Sequence, residues 1–153
     1  RIRALYSNEI DLSNKYLNLG YKSIPFFMSR KIVLTGSMLI LLGIILGAMA
    51  AHALEKVISA DLIATFEKGV KYQFYIGIGL LTVGLNAKQI PFKLNLFYLL
   101  NLIGVILFSG CIYLYALHEI IPVFKPAAMI VPFGGMSMIA AWTVFVVQLI
   151  RKR

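Results

Sequence analysis

Long apolar stretches alternate with short polar segments along most of this chain. Four apolar stretches lie at about residues 32–54, 70–87, 94–117 and 127–150, and charged side chains gather between and beside them. A helix of about 20 apolar residues crosses the ~30 Å hydrocarbon layer of a bilayer. The pattern therefore predicts an all-α membrane protein with four transmembrane helices in one bundle.

The second apolar stretch is short, and a charged segment precedes it. Residues 55–71 carry three acids and three bases, and Ser59 is typical of a residue that begins a helix. Apolar residues recur there at every fourth position: Leu62, Phe66 and Val70. This spacing predicts a short interfacial amphipathic helix that continues into the second span.

The first 27 residues are polar and begin with Arg1 rather than Met. A mitochondrial transit peptide is one interpretation, but Glu9 and Asp11 do not suit the acid-poor composition of such peptides. The other interpretation is that the natural chain begins at Met28, and we favour it. Residues 1–27 are then a tail that is not part of the natural protein, and residues 28–153 are the four-helix transmembrane domain.

Composition excludes several classes of protein. Hydrophobic residues make up 60% of the 153 residues and charged residues 14%, which is far too apolar for a soluble domain. The net charge of +9 does not indicate nucleic-acid binding, because the bases flank apolar stretches, where they meet lipid headgroups. One cysteine, Cys111, allows no intrachain disulfide and no metal site of the usual Cys/His spacing.

The distribution of bases predicts the orientation. Seven bases fall on one side of the four spans: Arg30, Lys31, Lys88, Lys93, Arg151, Lys152 and Arg153. Four fall on the other: Lys56, Lys68, Lys71 and Lys125. Because the more basic side is normally cytoplasmic, both termini are expected there, or in the matrix of an organelle. We call the opposite side the outer side.

The predicted spans contain few side chains that could carry protons or take part in catalysis. No Asp, Glu, Lys or Arg lies in the central part of any span, which argues against proton-coupled transport. Neither His52 nor His118 has a Ser/Asp or Cys partner at a recognisable spacing, and His118 lies beside Glu119 in a loop, so we expect no enzyme, no cofactor and no metal. A small transporter or passive pore, working as a homodimer, stays open as the alternative function.

Four motifs in these stretches resemble one family. LGAMAAHAL (46–54), FEKGVKYQFY (66–75), LFSGCIYLYAL (107–117) and PFGGMSMIAAW (132–142) are similar, in order and spacing, to the domain-of-unknown-function 423 family. The resemblance runs from about Met28 to the C-terminus, and it departs from the family pattern at Ile76 and Ala141. It implies a small four-helix protein of a bacterial inner membrane, or alternatively of the mitochondrial inner membrane. It implies no reaction, because the family has none established.

The polar and backbone-exposing residues of these motifs fall in the outer half of the predicted bundle. They are His52, Tyr72, Gln73, Ser109, Tyr113, Pro132, Gly134 and Gly135. Backbone carbonyls near Pro132 are expected to accept hydrogen bonds from Gln73, Tyr72 and His52. The cluster has two interpretations, a hydrogen-bonded contact that fixes helix register or a shallow pocket for a lipid headgroup or small polar ligand.

The function predicted from these observations is that of a non-catalytic small membrane subunit, an assembly protein or a lipid- or ligand-binding protein. Membrane lipids are the expected partners, together with a second copy of the chain or a larger membrane complex. Gly43, Gly47 and Ala51 repeat at every fourth residue and allow close helix packing. We favour packing within the chain over a dimer interface for this stripe.

Overall fold

The computed structural model describes residues 29–151, and within that range the chain forms four long helices. They are α1 (Arg30–His52), α2 (Ala60–Leu85), α3 (Asn95–Ala116) and α4 (Val131–Arg151). Short 3-10 helices at Leu54–Lys56 and Pro122–Met129 precede α2 and α4. No strand occurs in this range, so the predicted all-helical fold is confirmed. The predicted tail at residues 1–27 lies outside the described residues.

Three of the segments are long and apolar enough to cross a membrane: Arg30–Lys56, Asn95–Ala116 and Pro122–Arg151. Helix α2 is not among them, because its first half carries several charged residues and Gln73. The predicted interfacial helix is not a separate element. Its residues are the first turns of α2, which is continuous because no proline interrupts the chain from Ser59 to Leu85.

Two helices differ in detail from their predicted spans. The α-helical part of the last span begins at Val131 rather than near residue 127, since the segment before it is a 3-10 helix containing Pro126. Pro132 then lies in the first turn of α4, where a missing N–H costs no hydrogen bond. Helix α3 contains a π-helical turn at Ile106–Gly110 that the sequence did not predict.

Helices α1 and α2 pack closely as an antiparallel pair. A Cβ atom on Gly36 would lie 2.7 Å from the carbonyl oxygen of Gly77, so only glycine permits this approach. The Ser29 N–H donates a 2.8 Å hydrogen bond to the Gly84 carbonyl and joins the start of α1 to the end of α2. Gly43 and Gly47 also face α2, so this part of the small-residue stripe packs within the chain.

Two apolar clusters stabilise the ends of the molecule. We call the end where α2 and α4 begin the outer end, and the opposite end the inner end. The inner cluster includes Leu80, Phe97 and Ala141, and the outer cluster includes Ala50, Phe66 and Ala116. All six side chains are at most 1% exposed, and the polar contacts described next lie beside the outer cluster, against which Tyr113 packs.

Candidate functional site

Three of the predicted site residues form hydrogen bonds between helices. The Gln73 side chain of α2 is 5% exposed, and its Nε2 donates to the Leu39 carbonyl of α1 over 2.8 Å. The Tyr113 hydroxyl of α3 donates to Gln73 Oε1, also over 2.8 Å. Ser109 Oγ donates to the Gly69 carbonyl of α2 at the same distance. We call Gln73, Ser109 and Tyr113 the polar cluster.

The local structure of α2 and α3 positions this cluster. Ser109 lies in the π-helical turn, and Tyr113 follows one turn later with its ring 4.6 Å from that of Phe66. A Cβ atom on Gly69 would lie 2.7 Å from Tyr113 Cε1, so glycine is required for the tyrosine to approach α2. The oxygen and the nitrogen of the Gln73 amide both have partners inside the chain. The polar cluster is therefore a satisfied contact between three helices.

The other five predicted residues lie apart from the polar cluster. His52 and Pro132 are exposed at the end of α1 and the start of α4. A Cβ atom on Gly134 would collide with the backbone of Phe108, so this glycine brings α4 against α3. Tyr72 and Gly135 line a groove on another face of the molecule. The expected bonds from Gln73 to carbonyls near Pro132 are not present, because Gln73 faces α1 and α3 instead.

The groove runs between α2 and α4 and has a volume of about 780 Å³. Helix α2 contributes Tyr72, Tyr75 and Ile76, and α3 contributes Phe108. Helix α4 contributes seven residues from Gly135 to Val147. Apart from the tyrosine hydroxyls and Thr143, the lining side chains are apolar.

Aromatic contacts define the shape of the groove. Trp142 of α4 reaches α2, where a Cβ atom on Gly79 would lie 2.7 Å from its ring atom Cζ2. Its indole meets the Phe97 ring edge-on at a centroid distance of 5.1 Å. Nearer the outer end, the Tyr72 ring packs on Phe108 at 4.7 Å. Tyr75 stays 54% exposed, so the outer part of the groove is open at its side.

Sequence reasoning missed most of this groove. Part of its lining could have been predicted from the motif at 132–142. Gly135, Met138 and Trp142 of this motif are three or four residues apart, so they share one face of a helix. It also passed over Asn101, which is fully buried in α3. Asn101 Nδ2 donates to the Phe97 carbonyl over 2.9 Å, whereas Oδ1 has no partner among the described residues.

The histidines and the cysteine occupy separate places. His118 stacks on Tyr115 with ring centroids 4.7 Å apart, and its Nδ1 lies 2.6 Å from the Tyr115 carbonyl oxygen. Cys111 is buried in α3. Between residues 29 and 151 no group of three or more His, Cys, Asp or Glu side chains could hold a metal ion.

Comparison with known proteins places the chain in a family. The model of a family described as "Protein of unknown function (DUF423)" matches residues 46–135. A UPF0382 membrane protein of Staphylococcus haemolyticus, SH2409, is 31% identical over 76% of this chain and 92% of its own length. One from Staphylococcus saprophyticus, SSP2132, is 31% identical over 75% of this chain and 92% of its own length.

A more distant relative is the UPF0382 inner membrane protein YgdD of Escherichia coli, which is 27% identical over 71% of this chain and 80% of its own length. No solved structure matches the chain significantly. The family match spans more than half of the chain, and the two staphylococcal relatives match about three quarters of it. The chain is therefore a membrane protein that belongs to the DUF423 family.

Proposed function

We propose that this chain is a non-catalytic, four-span membrane protein that binds a membrane lipid in the groove between α2 and α4. The observation that carries the proposal is the apolar groove itself, which opens sideways from the bundle. Exposed apolar residues surround it, including Met136 at 65% and Ile139 at 69% exposure. A groove of this kind in a membrane-spanning face is in direct contact with lipid chains.

The packing of α2 supports a fourth crossing. Helix α2 has 26 residues, which gives it a length of about 39 Å, more than the hydrocarbon layer requires. It lies along α1 from the Ser29–Gly84 hydrogen bond to the contact of Gly47 with Val70. Because α1 is apolar enough to span, its antiparallel partner occupies the same depth. The buried amide of Gln73 costs little there, since both of its polar atoms are bonded.

The proposed location is a bacterial inner membrane, with both termini in the cytoplasm. The more basic side of the four-span arrangement carries both ends, and the relative from Escherichia coli is called an inner membrane protein. The mitochondrial inner membrane is the alternative, with both termini in the matrix.

The buried polar groups favour a structural role for the bundle interior over catalysis or transport. The buried polar side chains of the described range are Gln73, Asn101 and Ser109, all uncharged. Gln73 and Ser109 are engaged in hydrogen bonds to neighbouring helices, and we therefore assign the ligand to the apolar groove rather than to the bundle interior.

The test uses Trp142, which lines the groove and is the only tryptophan of the chain. Phosphatidylcholine with brominated acyl chains, titrated into the purified protein in detergent, is expected to quench its fluorescence saturably. A Gly135→Leu variant fills the groove without backbone collision, since a Cβ atom there meets Phe108 only at 3.6 Å. Loss of contact for about two methylene groups should weaken lipid binding about tenfold.

Met136→Leu is the matched control, because Met136 is the next residue on α4 and is not part of the groove lining. Its affinity for the brominated lipid should equal that of the unaltered protein. Equal affinity of the Gly135→Leu variant, with its fold intact by circular dichroism, would contradict the proposal.

A further inference from the structure

We infer that Lys68 and Lys71 make the groove selective for lipids with an anionic headgroup. This inference rests on the proposed lipid-binding function and adds the class of ligand. Lys68 lies one helical turn before Tyr72, and Lys71 lies one turn before Tyr75. The two lysines therefore continue the face of α2 that lines the groove, toward the outer end.

The direction of the side chains brings their charge to the membrane surface. Side chains on a helix lean toward its N-terminus, which for α2 is the outer end. Both lysines are exposed, and their aliphatic stems can lie along the groove face while their ammonium groups reach toward water. The tyrosine hydroxyls lie one turn deeper, and the apolar lining follows below them. From the outer end inward, one face of the molecule thus carries the lysine ammonium groups, then the tyrosine hydroxyls, and then the apolar side chains.

Neither Lys68 nor Lys71 forms an ion pair within the described part of the chain. Glu67 precedes Lys68 directly and lies one helical turn before Lys71, but no ion pair joins it to either lysine, and it lines a different hollow of about 500 Å³ together with Ala50 and Ile63. Glu119 is engaged with loop backbone, since its Oε2 accepts a 2.8 Å hydrogen bond from the Ser59 N–H. Two ammonium groups remain available to a phosphate.

This order of groups matches one kind of molecule, a phospholipid of the outer leaflet with net negative charge. Its phosphate would meet Lys68 and Lys71, and the tyrosine hydroxyls would meet the ester region. One acyl chain would lie along α4, where the lining from Gly135 to Val147 extends about 18 Å. A zwitterionic lipid would fill the same groove but would lack the net attraction to the lysines.

The test is a competition measured in bilayers through Trp142 fluorescence. The protein is reconstituted into mixtures of brominated phosphatidylcholine and unbrominated phosphatidylglycerol, and quenching gives the relative binding of the two lipids. We expect phosphatidylglycerol to be preferred, and Lys68→Gln/Lys71→Gln to reduce the preference by about fivefold for each lysine. The preference should also fall in 0.5 M salt, because exposed charges are screened.

A control variant, Lys56→Gln/Lys93→Gln, removes the same total charge from exposed positions outside the groove lining. It should keep the preference of the unaltered protein. An unchanged preference in Lys68→Gln/Lys71→Gln, or an equal fall in the control, would overturn the assignment of the lysines.

The outcome is separable from the test of the proposed function, which uses phosphatidylcholine alone and the Gly135→Leu variant. Loss of anionic preference with normal phosphatidylcholine binding supports the role of the lysines. If Ile139→Cys in a Cys111→Ala background instead crosslinks two chains quantitatively in bilayers, a second copy occupies the groove. That result would overturn both the lipid site and its selectivity.

Discussion

At the scale of single residues, the amide of Gln73 makes contacts that no apolar side chain could replace. It bonds to α1 through the Leu39 carbonyl and to α3 through the Tyr113 hydroxyl. On the proposed four-span topology these groups lie in the bilayer, where water cannot replace either partner, so each bond would restrict how the helices rotate about their axes. One side chain thus bonds α2 to both neighbouring helices, in addition to the glycine contacts with α1 and the Ser109–Gly69 bond with α3.

Substitution of Gln73 by Leu should therefore lower the stability of the fold in detergent. The expected loss is about 0.6 kcal/mol for each interhelical bond, and at most about 1.7 kcal/mol for one bond. Tyr113→Phe should lose about one bond, and the double variant should lose less than the sum of the two, because both remove the same contact. Reversible unfolding followed by circular dichroism measures these differences.

Tyr75→Phe serves as the control for the loss of a tyrosine hydroxyl, since Tyr75 is 54% exposed and lies outside the polar cluster. Its stability should match that of the unaltered protein. Strictly additive effects of Gln73→Leu and Tyr113→Phe would show that the two side chains do not interact.

The depth of these residues could be predicted from the sequence, but their partners could not. Counting residues from the ends of the predicted spans places Gln73, Ser109 and Tyr113 at similar levels in the outer half. The direction in which a side chain points around the helix axis does not follow from its depth. The π-helical turn at Ile106–Gly110 changes this direction for the residues of α3 that follow it. No residue pattern marks that turn, so the bonds to Gly69 and Gln73 were not foreseen.

At the scale of helices, glycine positions control how closely α1 approaches α2. Gly36 faces the backbone of α2, whereas Gly47 faces only the end of the Val70 side chain at 3.7 Å. The same residue type therefore has different importance at two positions of one helix. The sequence showed a stripe of small residues at 43, 47 and 51, but Gly36, which makes the closest backbone contact of these, lies outside that stripe.

Alanine at Gly36 should destabilise the helix pair by about 1–3 kcal/mol, because its methyl group would force two backbones apart. Alanine at Gly47 should have an effect near zero, since the new Cβ atom would meet Val70 at an ordinary contact distance. Thermal unfolding of both variants in the same detergent compares them directly. Equal destabilisation of the two would mean that the approach at Gly36 is not as close as described.

The lengths of the apolar stretches predicted the helices and their approximate ends, but they did not predict the groove. Its walls belong to α2 and α4, which are distant in sequence, and Phe108 of α3 lies between them in the lining. Only the relative placement of three helices creates that space. The charges before residue 72 predicted an interfacial amphipathic helix that continues into the second span, and in the structure these residues are the first turns of one continuous helix, α2.

At the scale of the whole molecule, the proposed four-span topology would place the connection after α2 and the connection after α3 on opposite sides of the membrane. In a Cys111→Ala background, Gln89→Cys should react with a membrane-impermeant maleimide from the side that holds the termini. Val123→Cys should react only from the other side. Both positions are exposed, and Val123 is 75% exposed, so failure to react would not arise from burial. Labelling of both from one side would contradict a fourth crossing.

The close pairing of α1 with α2 also bears on how the protein is inserted during synthesis. A helix with the polar content of α2 is unfavourable in lipid by itself, because Gln73 would then be unbonded in hydrocarbon. Its first partner, the Leu39 carbonyl, belongs to α1 and is made earlier by the ribosome. On the proposed topology the two helices therefore insert as one hairpin. A nascent chain that has grown just past Leu85 already contains the acceptor for the Gln73 N–H group, whereas Tyr113, the donor to its amide oxygen, is made later.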